Sequence, residues 1–158
     1  MILIAYDGSE DARAAIAGAA KLFPAQRATI VTVWQRFVET MAGTGAGMAV
    51  VLDYDELDLA AEKAAYEKAS EGAELASAAG LVATPQAAVA VGRLAETILF
   101  EASELDADGI VIGSRGLGGV KSLVLGSVSH AVLQHADRPV VVVPSPEVAK
   151  ERAEQRAN

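Results

Sequence analysis

Apolar and polar positions along the chain follow two alternating patterns. Short continuous apolar runs, typical of strands buried on both faces of a parallel sheet, occupy residues 2–6, 28–33, 86–91, 109–112 and 140–143. Segments whose apolar residues lie three or four positions apart, typical of helices, occupy residues 10–22, 53–79, 93–105 and 127–135. Five strands alternating with four helices predict right-handed βαβ crossovers and an α/β fold, an open parallel sheet with helices on both faces.

Capping and breaking residues support several of these boundaries. Ser9 is suited to cap the first helix, whose first turn is acidic, and Pro24 follows the end of that helix. Gly80 is suited to end the long second helix. The inward face of that helix is predicted to carry residues at helical spacing, namely Leu57, Ala61, Ala65, Ala69, Ala76 and Ala79.

Two segments show no regular pattern. Glycines at positions 43, 45 and 47 alternate with small residues, which predicts a mobile loop that is either a lid over a pocket or an insertion without a role. After residue 146 the chain is charged and rich in alanine, and either extends a helix or frays. We therefore expect one domain over residues 1–146, followed by a charged tail over residues 147–158.

The composition fits one globular domain of a soluble protein. The chain has 158 residues, 52% of them hydrophobic and 22% charged, enough for one core. It has no cysteine, which excludes disulfides, cysteine nucleophiles and Cys-ligated metal centres. A formal charge of -8 disfavours nucleic acid and anionic membranes as partners. With no visible targeting signal and no apolar run of roughly 20 residues, we expect a cytoplasmic protein.

A cluster of glycines follows the fourth apolar run, from Gly113 to Gly119, and Gly126-Ser127 opens the next helix. Glycine lets a backbone approach a ligand closely, and a helix N-terminus offers N–H groups to an anion. This order of strand end, glycine segment and helix start therefore suits a phosphate chain. The alternative is a loop whose glycines only make turns.

Two familiar phosphate-binding motifs do not fit this segment. A Walker loop requires lysine directly after its second glycine, but here Gly119 follows Gly118. A dinucleotide fingerprint that starts at Gly116 would require glycine at the position of Lys121. The main sequence evidence for a Walker-type NTPase or a nicotinamide dehydrogenase is therefore missing.

The spacing of Gly113, Gly116 and Gly126-Ser127 resembles the ATP-binding pattern of the universal stress protein family. The resemblance covers nearly the whole chain, including Tyr-Asp-Gly-Ser after the first apolar run, the segment from Ala107 to Gly116, and Arg-Pro-Val-Val-Val-Val-Pro from Arg138. Many relatives lack the glycine pattern and do not bind ATP, whereas this chain keeps it. The resemblance implies a Rossmann-like, adenine nucleotide α-hydrolase-like fold with strand order 3-2-1-4-5.

That strand order would place ATP at the carboxyl ends of strands one and four, where the connections leave in opposite directions. The resemblance implies that Asp7 accepts hydrogen bonds from ribose and that Val33 offers backbone groups to adenine. Without the resemblance, Asp7 would be interpreted as a turn or capping aspartate and Val33 as a core valine. The ATP-binding residues that the resemblance implies are Ala5, Tyr6, Asp7, Val33, Ile112, Gly113, Ser114, Arg115, Gly116, Gly126, Ser127, Val128 and Ser129.

The charged residues near the glycine pattern leave alternatives open. Arg115 would either pair with phosphate or point to solvent. His130 could donate to a phosphate, although His130 and His135 are more typical of surface or packing histidines. No nucleophile, base or metal-binding cluster stands out, so no catalytic or metal-ligating residue is predicted. A magnesium ion would arrive with ATP, because it prefers phosphate oxygens and water.

Three functions remain open. The first is an ATP-binding regulator of the stress response, acting on protein partners that the sequence does not name. The second is a slow ATPase or a phosphoryl or nucleotidyl transferase that uses Arg115, Lys121 or His130. The third is a dimeric interaction module in which ATP is structural.

The last apolar run also predicts a partner. Residues 140–143 would form an exposed edge strand, which invites pairing with another strand. The resemblance likewise implies a homodimer that pairs these edges antiparallel across a two-fold axis. The alternative is that the tail covers this strand.

The acidic residues are unevenly distributed. Eight of the 21 lie between Asp53 and Glu74, and none lies between Gly109 and Ala136. This acid-free window contains the whole glycine pattern together with Arg115, Lys121 and both histidines. We therefore expect it to accept one triphosphate, with Asp7 as the lone carboxylate beside it.

Overall fold

The computed structural model describes residues 1–38, 54–117 and 125–157. The predicted loop at residues 43–47 lies outside the described residues, as do residues 118–119 of the glycine cluster and Lys121. The strands are β1 (Ile2–Ala5), β2 (Arg27–Trp34), β3 (Val82–Val89), β4 (Gly109–Gly113) and β5 (Val140–Val143). The helices are α1 (Glu10–Leu22), α2 (Tyr54–Ala78), α3 (Leu94–Glu104), α4 (Ser127–His135) and α5 (Pro146–Ala157).

The strands form one parallel sheet in the order β3-β2-β1-β4-β5, which confirms the predicted fold class and strand order. β1 lies at the centre, where Ile2 is aligned with Ala28 of β2 and with Gly109 of β4. β3 and β5 lie at the two edges. Since β1 continues toward β2 and β4 continues toward β5, the chain leaves these two neighbouring strands in opposite directions.

Successive residues of β1 face two separate hydrophobic cores. Ile2 and Ile4 belong to the core packed by α1 and α2, whereas Leu3 and Ala5 belong to the core packed by α3 and α4. All four are buried. Burial on both faces explains why the strand segments read as continuous apolar runs rather than alternating ones.

The third strand differs most from its predicted bounds, because β3 begins at Val82 rather than at residue 86. Pro85 lies among residues 82–85, which the prediction did not include in the strand. β3 is an edge strand, where a residue without an N–H is tolerated, and Pro85 is aligned with Ile30 of β2. Pro85 therefore lies inside an edge strand and does not end it.

α2 packs against the sheet through small residues, and its buried positions are Ala65, Ala69, Gly72, Ala73 and Ala76. Ala79, predicted to face inward, is exposed because the helix ends at Ala78. Gly72 is where α2 lies closest to the sheet. A Cβ at this position would lie 2.8 Å from Cγ2 of Ile30 and 2.9 Å from Cδ1 of Tyr6.

The charged tail forms helix α5 rather than fraying. The helix begins at Pro146, and Val148 in its first turn is buried. The backbone N–H of Val148 donates to Oγ of Ser145 at 3.4 Å. Within the described ranges, no helix combines the length and apolar character that crossing a bilayer requires.

Replacing Gly72 with alanine is expected to destabilise the fold, although alanine favours helices by roughly 1 kcal/mol over glycine. The added methyl group would overpack the contact with Ile30 and Tyr6, which typically costs about 1–3 kcal/mol. Urea unfolding of Gly72→Ala should show a lower midpoint than the wild type. Ser77→Ala, on the exposed face of the same helix, serves as the control and should not lower it. A midpoint for Gly72→Ala at or above the wild-type value would contradict the prediction.

Candidate functional site

A cavity of about 530 Å³ opens at the carboxyl ends of β1 and β4. It lies where the chain leaves these two strands in opposite directions, which is the usual position of ligands in open α/β sheets. Every residue that the family resemblance implied, except Ser114, lines this cavity. The structure therefore brings these predicted residues together around one cavity, and their binding of a ligand stays a prediction.

The cavity has an apolar part and a polar part. The apolar part is lined by side chains from the sheet and from α3: Val31, Val33, Leu94, Ile98 and Ile112. The polar part includes Asp7 after β1, the segment from Arg115 to Leu117 after β4, and the first turn of α4 from Gly126 to Ser129. Such a division suits a ligand with one apolar end and one charged end.

Asp7 joins the two walls of the cavity. Its Oδ1 accepts a hydrogen bond from the backbone N–H of Ser9 at 2.9 Å, and its Oδ2 accepts one from Leu117 at 3.1 Å. A Cβ on Gly116 would lie 2.6 Å from the same Oδ2. Asp7 therefore acts as a turn aspartate that also holds the segment after β4, and glycine at position 116 leaves room for it.

Asp11 is a second carboxylate beside the glycine pattern, which the sequence analysis missed. It is buried in the first turn of α1, where its Oδ2 accepts hydrogen bonds from Oγ of Ser114 at 2.6 Å and from the N–H of Arg115 at 2.9 Å. The expectation that Asp7 is the lone carboxylate was therefore wrong. The acid-free window exists in the sequence but not in space.

Ser114 turns away from the cavity and is fully buried. Besides the bond from its hydroxyl to Asp11, its carbonyl accepts from the N–H of Gly126 at 2.7 Å and from Oγ of Ser129 at 2.9 Å. The hydroxyls of Ser114 and Ser129 are thus used within the protein. Ser127, by contrast, is exposed at the start of α4.

The side chain of Arg115 does not point to solvent as one option expected, and its pairing with phosphate stays a prediction. Its Nη2 lies 3.8 Å from Oε2 of Glu151 on α5, and only 13% of the side chain is exposed. His130 is exposed and does not line the cavity, and Lys121 lies outside the described residues. In the three described ranges, no three acidic or histidine side chains gather in a way that could hold a metal ion.

Several cavity residues were not foreseen, notably Thr32, Lys68 and Leu94. Oγ1 of Thr32 donates to the carbonyl of Tyr6 at 2.8 Å, which fixes the end of β1 against β2. Lys68 comes from α2, which precedes the glycine pattern by a long stretch of chain. No local sequence signal distinguishes it from other lysines on this helix.

The side chain of Tyr6 connects the cavity rim to both helices on one face of the sheet. Its hydroxyl donates to Oε1 of Glu71 on α2 at 3.0 Å, and the Arg13 guanidinium on α1 donates to the same oxygen. Burial, with help from the bond to Glu71, raises the pKa of Tyr6 to about 12. The bonds from Tyr6 and Arg13 lower the pKa of Glu71.

This raised pKa predicts an alkaline dependence of stability. The ordinary pKa of tyrosine is 10.0, and the folded chain holds the phenol proton more tightly than the unfolded chain does. The stabilisation is therefore complete below pH 10 and is lost as the pH rises toward about 12. Tyr6→Phe should be less stable than wild type at neutral pH, yet lose less stability over this range in denaturant titrations.

Tyr66→Phe is the matched control, because Tyr66 is 51% exposed on α2. Its stability should follow the wild-type curve across the alkaline range. If the stability of the wild type and of Tyr6→Phe fell in parallel as the pH rises, the raised pKa of Tyr6 would be contradicted.

Comparisons with known proteins agree with this architecture. A model of the universal stress protein family matches residues 1–144. Universal stress protein YxiE of Bacillus subtilis is 34% identical over 146 residues, which cover 90% of this chain and 97% of that protein.

Solved structures share the fold. A universal stress protein in complex with cAMP has a TM-score of 0.65 and 22% identity, with 91% of this chain and 96% of that chain covered. The universal stress protein of Archaeoglobus fulgidus in complex with dAMP has a TM-score of 0.55 and 22% identity, with 90% and 95% covered. At these identities the structures support the fold alone, whereas the family match extends from β1 through β5. The chain belongs to the universal stress protein family.

Proposed function

We propose that the protein binds ATP in the cavity between β1 and β4 and acts as a nucleotide-dependent regulator in a cytoplasmic stress response. One observation carries the proposal: a single cavity joins an apolar pocket, the carboxylate of Asp7 and the first turn of α4. These are the groups that adenine, ribose and phosphates require. The volume of about 530 Å³ lies within the roughly 300–1,000 Å³ typical of small-molecule sites.

The apolar part fits adenine. Val33 and Ile112 come from the sheet and Ile98 from α3, so the pocket has walls from two layers. Burying a base there would remove apolar surface of both partners from water. The end of β2 would supply the backbone groups that read the base edge.

Asp7 fits ribose. Its two carboxylate oxygens provide about four acceptor sites, and the N–H groups of Ser9 and Leu117 use two of them. The remaining acceptors can take two ribose hydroxyls. Because Ser9 and Leu117 already orient the carboxylate, little conformational freedom would be lost on binding.

Gly126 favours an anion at the start of α4. It is the N-cap residue, and a Cβ there would make ordinary contacts of 3.5–3.6 Å, so the fold accommodates a side chain. The preferred N-cap residues would bond the first N–H groups of the helix with their own oxygen. Glycine leaves these N–H groups to a ligand, which is the arrangement expected of a phosphate site.

Relatives support a nucleotide as the ligand. One universal stress protein has been solved with cAMP and another with dAMP. Both ligands contain adenine, ribose or deoxyribose, and phosphate, in agreement with the apolar and polar parts of this cavity. A magnesium ion would bind through the phosphates rather than through protein ligands.

We further propose that the protein is a homodimer through β5. This strand is an edge of the sheet, and within the described part of the chain no strand pairs with its outer side. Its four valines are all partly exposed. Antiparallel pairing of two copies would satisfy the open backbone groups and cover these valines.

The first experiment identifies the ligand and the oligomer. Mass spectrometry of the native protein should show a dimer, and denaturation should release an adenine nucleotide; titration calorimetry of the emptied protein should show binding of ATP. Absence of released nucleotide together with no binding of added ATP would reject the nucleotide proposal. A monomer at all concentrations would reject the dimer.

Ser127→Asp is expected to separate ligand binding from folding. A carboxylate in the first turn of α4 stabilises the helix by about 0.3–1 kcal/mol, but would repel the phosphates by enough to weaken ATP binding roughly 10-fold or more. Calorimetry and thermal unfolding would measure the two effects. Ser77→Asp, with the same change of charge on exposed α2, should bind ATP as the wild type does. Equal ATP affinity for Ser127→Asp and wild type would contradict the predicted phosphate position.

A further inference from the structure

We propose that Lys68 of α2 is the cation that binds the ligand's phosphates, and that Arg115 is not. This inference rests on the proposed nucleotide site and adds to it a residue outside the glycine pattern. Lys68 lines the same cavity as Gly116 and Ser127. Lys68 reaches the cavity beside the turn that follows β1, whereas the glycine segment follows β4.

The position of Lys68 follows from the packing of α2. It lies between Ala65 and Gly72, which are both buried, and therefore at the border of the face that contacts the sheet. Its Cδ and Cε both lie 3.8 Å from the position that a Cβ of Gly8 would occupy. Since Gly8 has no side chain, the methylene stem of Lys68 rests against this turn, and the side chain is half-buried. The stem is thus held in place beside the cavity that Lys68 lines.

Lys68 differs from its neighbour Lys63 in having no carboxylate four residues away along the helix. Lys63 has Glu67 four residues later, and their charged atoms are 3.9 Å apart. The corresponding neighbours of Lys68 are Ala64 and Gly72.

Glu71 follows Lys68 by three residues and attracts it electrostatically, but it already has closer partners. Its carboxylate accepts from the Tyr6 hydroxyl and from Arg13. Across residues 1–38, 54–117 and 125–157, Lys68 takes part in no ion pair. A half-buried ammonium group without a direct ion pair can donate charge-assisted hydrogen bonds to an anionic ligand.

Arg115 is in the opposite situation. Its guanidinium is opposite Glu151 of α5, and the side chain is largely buried. A phosphate that took Arg115 as its partner would have to share the guanidinium with this carboxylate. A phosphate at Lys68 would share the ammonium group with no ion-paired carboxylate, so Lys68 is the more available of the two cations that line the cavity.

Affinities for ATP and for adenosine, measured side by side by calorimetry, test this assignment. Lys68→Met keeps the length of the stem that rests on Gly8 and removes the charge. We expect it to weaken ATP binding roughly 10-fold or more, as for the loss of one hydrogen bond to a charged group, and to leave adenosine binding unchanged. Lys68→Arg should restore most of the ATP affinity. Lys63→Met, with the same change of charge on the same helix, should bind both ligands as the wild type does.

The outcomes separate this inference from the proposed function. If the wild type binds neither ligand, the nucleotide site itself is rejected. If the wild type binds ATP and Lys68→Met binds it equally well, the role of Lys68 alone is rejected. If Lys68→Met lost affinity for ATP and for adenosine equally, the inference would also be overturned. The same holds if Lys63→Met lost as much ATP affinity as Lys68→Met. If thermal unfolding shows that Lys68→Met does not fold, Lys68→Gln takes its place under the same criteria.

Discussion

The buried carboxylate of Asp11 determines where the segment after β4 can lie. A Cβ on Gly113 would lie 2.7 Å from the backbone carbon of Asp11, so β4 ends in close contact with the first turn of α1. Asp11 then bonds Ser114 and Arg115 directly, and the carbonyl of Ser114 receives the N–H of Gly126. Through this series of contacts one helix positions the start of another. The polar part of the cavity is therefore built on a backbone contact that only glycine permits.

The family's glycines consequently serve different purposes in this chain. Gly113 is required by its contact with the backbone of Asp11, whereas Gly116 leaves room for the carboxylate of Asp7. Gly126 has room for a side chain and is the glycine that the ligand explains best. In the sequence, the three glycines form one phosphate-binding pattern. In the structure, Gly113 and Gly116 allow close packing contacts, and Gly126 leaves the start of α4 open.

Most of the architecture was accessible from the sequence because it depends on local patterns. Continuous apolar runs located β1, β2, β4 and β5, and Ser9 marked the start of α1, where its side chain accepts from the N–H of Ala12. The strand order came from the family resemblance. The bounds of β3 could not be predicted, since the effect of Pro85 depends on whether its strand lies at an edge. The partners of Ser114 and the position of Lys68 depend on contacts between distant segments, such as the Asp11–Ser114 bond across 103 residues, which leave no local pattern.

The central position of β1 also has a consequence for synthesis of the chain. β1, β2, α2 and β3 form a continuous half of the sheet, and they emerge from a ribosome well before β4. A domain generally folds as a unit, and until β4 has been synthesised the edge of β1 that pairs with it lacks its neighbour. Such an open edge is a site for wrong pairing. It closes only when residues 109–113 arrive, and the ligand cavity is therefore among the last parts of the molecule to be assembled.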